Sequence, residues 1–131
     1  MTKATTTLRK FILAACIVSF ASPALAASKA FISEYAVIGQ TNLFNQPAQI
    51  ATEPTLVDQA PVDFSGGAVS SAAFGTNTKY IRILCDTRCA VRFRVACTGA
   101  AATISNKPLP ADAPEYFGVA PGDCVSVIAS P

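Results

Sequence analysis

The sequence predicts an all-β protein, a small antiparallel β-sandwich or jelly-roll-like domain set behind an N-terminal apolar segment of signal type. Three observations carry this. Residues 27–131 show no sustained 3.6-residue periodicity but many short apolar or alternating runs. Gly, Pro, Asn and Asp interrupt those runs at the spacing of a sandwich or barrel. Four cysteines follow an export-type start, the usage of a small domain stabilised by crosslinks. A chain of 131 residues is sized for one such domain.

Residues 1–26 are the segment to set aside. Lys3, Arg9 and Lys10 form a positive start, Phe11 to Ala21 an apolar stretch, and Ala24-Leu25-Ala26 a small-x-small cleavage pattern. The stretch is shorter than the roughly 20 residues that cross a bilayer. Membrane contact is therefore expected only if the segment is not cleaved. Cys16 lies inside it without a lipobox. The whole chain has 10 Lys and Arg against 8 acids. Removing three bases and no acid leaves seven against eight, so the apparent basicity belongs to the segment. A nucleic-acid partner is not expected of such a domain.

The remaining elements follow in order. Ala30 to Ile38 reads as a first strand or docking arm, and Gly39 to Ala48 as a loop. Gln49 to Ala60 is extended but contains Pro54, which suits an edge strand. Val62 to Phe64 is short, Gly66-Gly67 breaks the chain, and Ala68 to Phe74 is a small-residue strand before the turn Gly75-Thr76-Asn77. Lys79 to Cys97 reads as a hairpin turning at Asp86-Thr87-Arg88. In it Ile81, Ile83 and Cys85 share a face with Cys89, Val91, Phe93, Val95 and Cys97, while Arg82, Arg92 and Arg94 point outward. Thr103 to Ser105 is a short strand, Asn106-Lys107-Pro108 a turn, and Leu109 to Pro114 a connection. Glu115 to Phe117 is a strand, Pro121-Gly122-Asp123 a turn, and Cys124 to Ala129 the last strand.

Cys85, Cys89, Cys97 and Cys124 are candidate disulfide cysteines. Opposed across the expected hairpin, Cys85 and Cys89 could bridge, with Cys97–Cys124 as the second bond. Free packed thiols and a four-thiolate zinc site remain open alternatives, although the CxxxC spacing lacks the usual CxxC pairs. The arginines form a stripe in which Arg82 faces Arg92. Such a pair needs compensation from Asp58, Asp63 or Glu115, from water, or from an acidic partner surface.

Absences narrow the chemistry. The chain has no histidine, which rules out Ser-His-Asp and Cys-His arrangements and histidine zinc ligands. It has no P-loop and no GxGxxG. Nothing gathers Asp58 and Asp63 into a pocket. No catalytic residue, cofactor or metal is expected, and the chain reads as a non-enzyme.

Four segments, taken in order, resemble a group of small structural proteins of tailed bacteriophages and prophages. They are the start Ala30-Phe31-Ile32-Ser33-Glu34-Tyr35, the GGAVSSAAF run from Gly66 to Phe74, KYIRIL from Lys79 to Leu84, and LPADAPEYFGV from Leu109 to Val119 followed by Pro121-Gly122-Asp123. The likeness spans nearly all of residues 30–129. It implies a β-sandwich virion protein that decorates or cements a capsid by surface contacts. The expected partners are a capsid or other virion protein and further copies of the chain. Phe31, Ile32 and Tyr35 of the N-terminal arm, with Arg82, Arg92 and Arg94, are the candidate contacts. The export-type start and the four cysteines depart from that group. They support the alternative of a periplasmic or secreted, prophage-derived β-domain that binds a protein or envelope component.

Overall fold

The computed structural model describes residues 27–40 and 47–131. The signal-type segment expected over residues 1–26, and positions 41–46 of the expected loop, lie outside the described residues. The fold is all-β, with two antiparallel sheets packed face to face. The front sheet has the order β10 (Glu115–Gly118), β7 (Tyr80–Cys85), β1 (Lys29–Tyr35), β4 (Val57–Asp58), and β5 (Val62–Asp63) also pairs with β1. The back sheet has the order β6 (Val69–Ser70), β11 (Cys124–Ala129), β8 (Cys89–Arg94), β9 (Lys107–Leu109). A ribbon of β2 (Ile38–Gln40) and β3 (Pro47–Ala51) stands apart from both.

Alternation builds the core. Ala30 and Ile32 of β1, Ile81, Ile83 and Cys85 of β7, Cys89 and Val91 of β8, and Val125 and Val127 of β11 all point between the sheets and are buried. Phe64, Phe74 and Leu109 fill the space between them. β1 is a central strand, matched residue for residue with β7 from Ala30↔Cys85 to Tyr35↔Tyr80. The docking-arm alternative for this segment is thereby corrected.

The expected hairpin is also corrected. β7 pairs with β1 and β10, whereas β8 pairs with β11 and β9, so the two strands lie in opposite sheets. Asp86-Thr87-Arg88 is an arch across the sandwich. Lys29 fixes it, its amide donating to Asp86 Oδ1 at 2.7 Å while Asp86 N donates to the Lys29 carbonyl at 3.0 Å. Hairpin and arch bury the same residues only as far as Val91, because period two sets the face and not the neighbour. β8 also stops earlier than expected. Val95–Cys97 is a 3-10 turn in which Ala96 and Cys97 have φ of 48° and 55°, and Val95 is 75% exposed. Phe93 points inward opposite Val125 but stays 38% exposed at the open end of the sandwich, where its ring lies 5.0 Å from Phe117.

Two smaller expectations change as well. Thr103 to Ser105 is a turn, with Asn106 Oδ1 accepting from Thr103 N and Oγ1, and Lys107 and Pro108 belong to edge strand β9. On an edge, the missing N–H of Pro108 leaves no ladder bond broken. Ala68 to Phe74 contributes only the two residues of β6.

One buried carboxylate ties the front sheet together. Glu34, only 2% exposed, accepts from Gln59 Nε2 at 2.7 Å, from Gly75 N at 2.9 Å and from the Thr78 hydroxyl. Three donors satisfy the charge that burial would otherwise penalise. Gln59 also brackets the Ala72 backbone, accepting from its N at 3.1 Å, and so closes the seam between the sheets on this side.

Candidate interaction surface

Residues directly opposed in an antiparallel ladder share a face. On the outer side of the front sheet, one row therefore reads Asp58, Ser33, Arg82, Tyr116, and the next reads Tyr35, Tyr80, Gly118. Phe31 and Leu84 form a third. All three tyrosines of the chain thus surround Arg82 on a single face. Phe31 is 42% exposed and Tyr116 36%. Tyr80 and Leu84 are half-buried.

Arg82 is held loosely. Its Nη2 donates to Ser33 Oγ at 3.1 Å, its Nη1 stands 4.0 Å from Glu53 Oε1, and its guanidinium lies 5.9 Å from the centre of the Tyr35 ring. Tyr35 OH donates to the same Glu53 oxygen at 3.1 Å. Burial, and after it the Glu53 hydrogen bond, raises the Tyr35 phenol above its ordinary range. Glu53 is therefore the counter-charge, and neither Asp58, Asp63 nor Glu115 takes that role. Asp58 accepts from Thr55 Oγ1 and Asp63 from Ser65. The Ser65 bonds hold the Asp63 carboxyl below its ordinary value. Glu115 pairs with Lys107 across the sandwich edge at 3.6 Å, and the Lys107 ammonium sits 4.2 Å from the centre of the Phe117 ring.

The expected arginine stripe does not exist, because its members lie on different sheets. Arg82 is on the front sheet, and Arg92 and Arg94 are on the outer side of the back sheet, opposite Ser126 and Cys124. The chain itself uses Arg94. Its guanidinium donates to Ser70 Oγ at 2.7 Å and to the carbonyls of Thr98 and Gly99 at 3.2 and 2.9 Å. Arg92 is exposed and forms no ion pair among the described residues. Of the expected arm contacts, only Phe31 is open to a partner. Ile32 points into the core at 2% exposure, and Tyr35 at 1% is covered by its own loop.

A cleft of about 720 Å³ opens at the end of this face beyond Tyr80 and Gly118. Val37, Phe93 and Val119 give it apolar walls, and Lys79 and Asp123 supply opposite charges. The volume falls in the range of ligand-holding clefts.

The cysteines divide into two pairs. Cys85 and Cys89 are bonded, with Cα atoms 6.5 Å apart, and the bond staples the two sheets at the arch. Cys97 and Cys124 are thiols in this structure, so the second bond expected from the sequence is not formed. Among the described residues no group of three or more His, Cys, Asp or Glu side chains could hold a metal ion.

Sequence reasoning missed Tyr80, Tyr116 and Glu53 as members of the surface. The alternation that places Arg82 outward also places Tyr80 outward. By contrast, no local pattern reveals Glu53, which arrives from a distant loop. Comparison with known protein families, with curated proteins and with solved structures gave no match.

Proposed function

We propose that this chain is a non-catalytic structural protein of a virion, docking on a capsid or another particle surface through the outer face of its front sheet. The observation that supports this most is the gathering of Phe31, Tyr80, Tyr116 and a weakly engaged Arg82 on one accessible β-face. Tyr, Phe and Arg are the side chains enriched where proteins meet, and they supply most of the affinity at such contacts. The adjoining cleft would receive a protruding group of the partner. Symmetric self-association on the particle accords with this role.

A second reading is favoured by one specific observation. The Cys85–Cys89 bond suits an oxidising compartment, hence a periplasmic or secreted prophage-derived domain using the same face on an envelope component.

Co-sedimentation with intact particles tests the first reading. The native chain is expected to co-sediment at a fixed ratio, and Arg82→Glu combined with Tyr116→Ala to stay in the supernatant while melting normally. Equal binding by the double variant, or absence of the native chain from purified particles, would overturn it. Mass measurement of the native N-terminus distinguishes the two readings, since Met1 retained fits an unprocessed virion arm and Ala27 fits export.

A further inference from the structure

We propose that Cys97 and Cys124 form an oxidisable dithiol site, closed into an intramolecular disulfide by a disulfide-bearing oxidant, and that closure fastens the segment covering the back sheet. The inference is independent of which particle or envelope partner the front face binds.

The geometry carries it. Cys124 lies opposite Arg94 in the β11–β8 ladder, so its thiol is on the outer side of the back sheet. The chain leaves that sheet at the very next residue and folds back over it. The Ala96 amide donates to Asp123 Oδ1 at 3.0 Å, and the Cys97 thiol stands 3.8 Å from the Gly122 carbonyl oxygen. Ala96 and Cys97 are thus anchored to the two residues that precede Cys124, and the Cys97 thiol is near enough to perturb the Cys124 thiol. Getting it there requires left-handed backbone at Ala96 and Cys97, a conformation that side chains other than Asn and Asp seldom adopt. Cys97 is half-buried and accessible to a reagent, whereas Cys124 is buried beneath the turn.

The chemistry is thiol–disulfide exchange, with oxidised glutathione or a protein disulfide as the oxidant class. The Cys97 thiolate attacks one sulfur of the oxidant. The oxidant's S–S bond breaks, and one thiolate leaves with the bond electrons. Cys124 then gives its proton to solvent and attacks the Cys97 sulfur, expelling the second thiolate. Two cysteine thiols are oxidised by two electrons, and one external disulfide is reduced to two thiols. The second attack is the slow one. Burial first, and then the Cys97 thiol, pushes the Cys124 thiol up to about 12, with Asp123 adding to the rise and Arg94 opposing it. Closure therefore speeds up as pH rises. Exchange with Cys85–Cys89 is excluded by distance, because Cys89 lies opposite Ala129 at the other end of the ladder.

The test exposes the purified chain to oxidised glutathione, quenches with acid and maps chymotryptic peptides without reduction. The expected result is a linked Cys97–Cys124 pair lighter by two hydrogens, with the unfolding midpoint raised by about 5 °C or more. Cys97→Ser, on the exposed turn, should fold yet show neither the link nor the rise. Lasting glutathione adducts on Cys97 without a link, or links from Cys97 to Cys85 or Cys89, would overturn the proposal.

Discussion

The two outer faces of the sandwich differ in what their polar groups are doing. On the back sheet, Arg94 is spent on the Thr98 and Gly99 carbonyls and on Ser70, and Ser126 Oγ accepts from the Ala102 amide at 2.9 Å. The segment after β8 thus lies over Cys124 and Ser126, both buried though they point away from the core. On the front sheet, Arg82 has one hydroxyl and one distant carboxylate, and aromatic rings around it remain open. Two arginines that look alike in sequence therefore have opposite tasks. One satisfies its own chain, and the other is only weakly engaged by it.

This contrast can be broken by mutation. Arg94→Ala should have the largest effect, removing three hydrogen bonds from a charged donor and costing about 2–3 kcal/mol in denaturant titrations. Faster amide exchange at residues 98–102 should accompany it, with particle binding retained. Arg82→Ala should reverse the pattern. A loose, half-exposed ion pair is worth less than ~1 kcal/mol of folding stability, whereas, if the front face docks as proposed, the same change should cost about 2 kcal/mol of binding. If Arg82→Ala destabilises more than Arg94→Ala, the assignment of faces is wrong.

Titration sharpens the same contrast. The Cys124 thiol is raised in the folded chain, so the proton it retains stabilises the fold below pH ~9, near its unfolded pKa. That contribution is lost as pH rises from there toward about 12. The groups around it are Cys97, Arg94 and Asp123. Stability should decline over that alkaline window, and Cys124→Ser should flatten the decline between pH 9 and 10, before tyrosine ionisation intervenes. The smallest effect belongs to Arg92→Ala. Exposed and without an ion pair among the described residues, it should change both stability and binding by less than ~0.5 kcal/mol.

The sequence made faces legible and neighbours illegible. Alternation through Ile81, Ile83 and Cys85, and again through Cys89 and Val91, identified the buried side of both strands. It could not distinguish a hairpin from an arch, since each buries the same side chains up to Val91. Cys124 to Ala129 was legible to the residue because turn chemistry at Pro121-Gly122 precedes it, with Gly122 at a φ of 82°. Pro108 misled, because its usual meaning as a turn residue competes with its tolerance on an edge strand. The arginine stripe failed with the hairpin that defined it. The Glu53–Tyr35–Arg82 cluster, and the clamp of Glu34 by Gln59, Gly75 and Thr78, are long-range arrangements with no local signature.

Hydroxyl-radical footprinting of the chain, free and mixed with the particles that the proposed role requires, reads both faces at once. Binding through the front sheet predicts that Phe31 and Tyr116 lose reactivity while Ile104, which is 61% exposed on the segment over the back sheet, keeps it. Protection of Ile104 with Phe31 and Tyr116 unchanged would contradict the account.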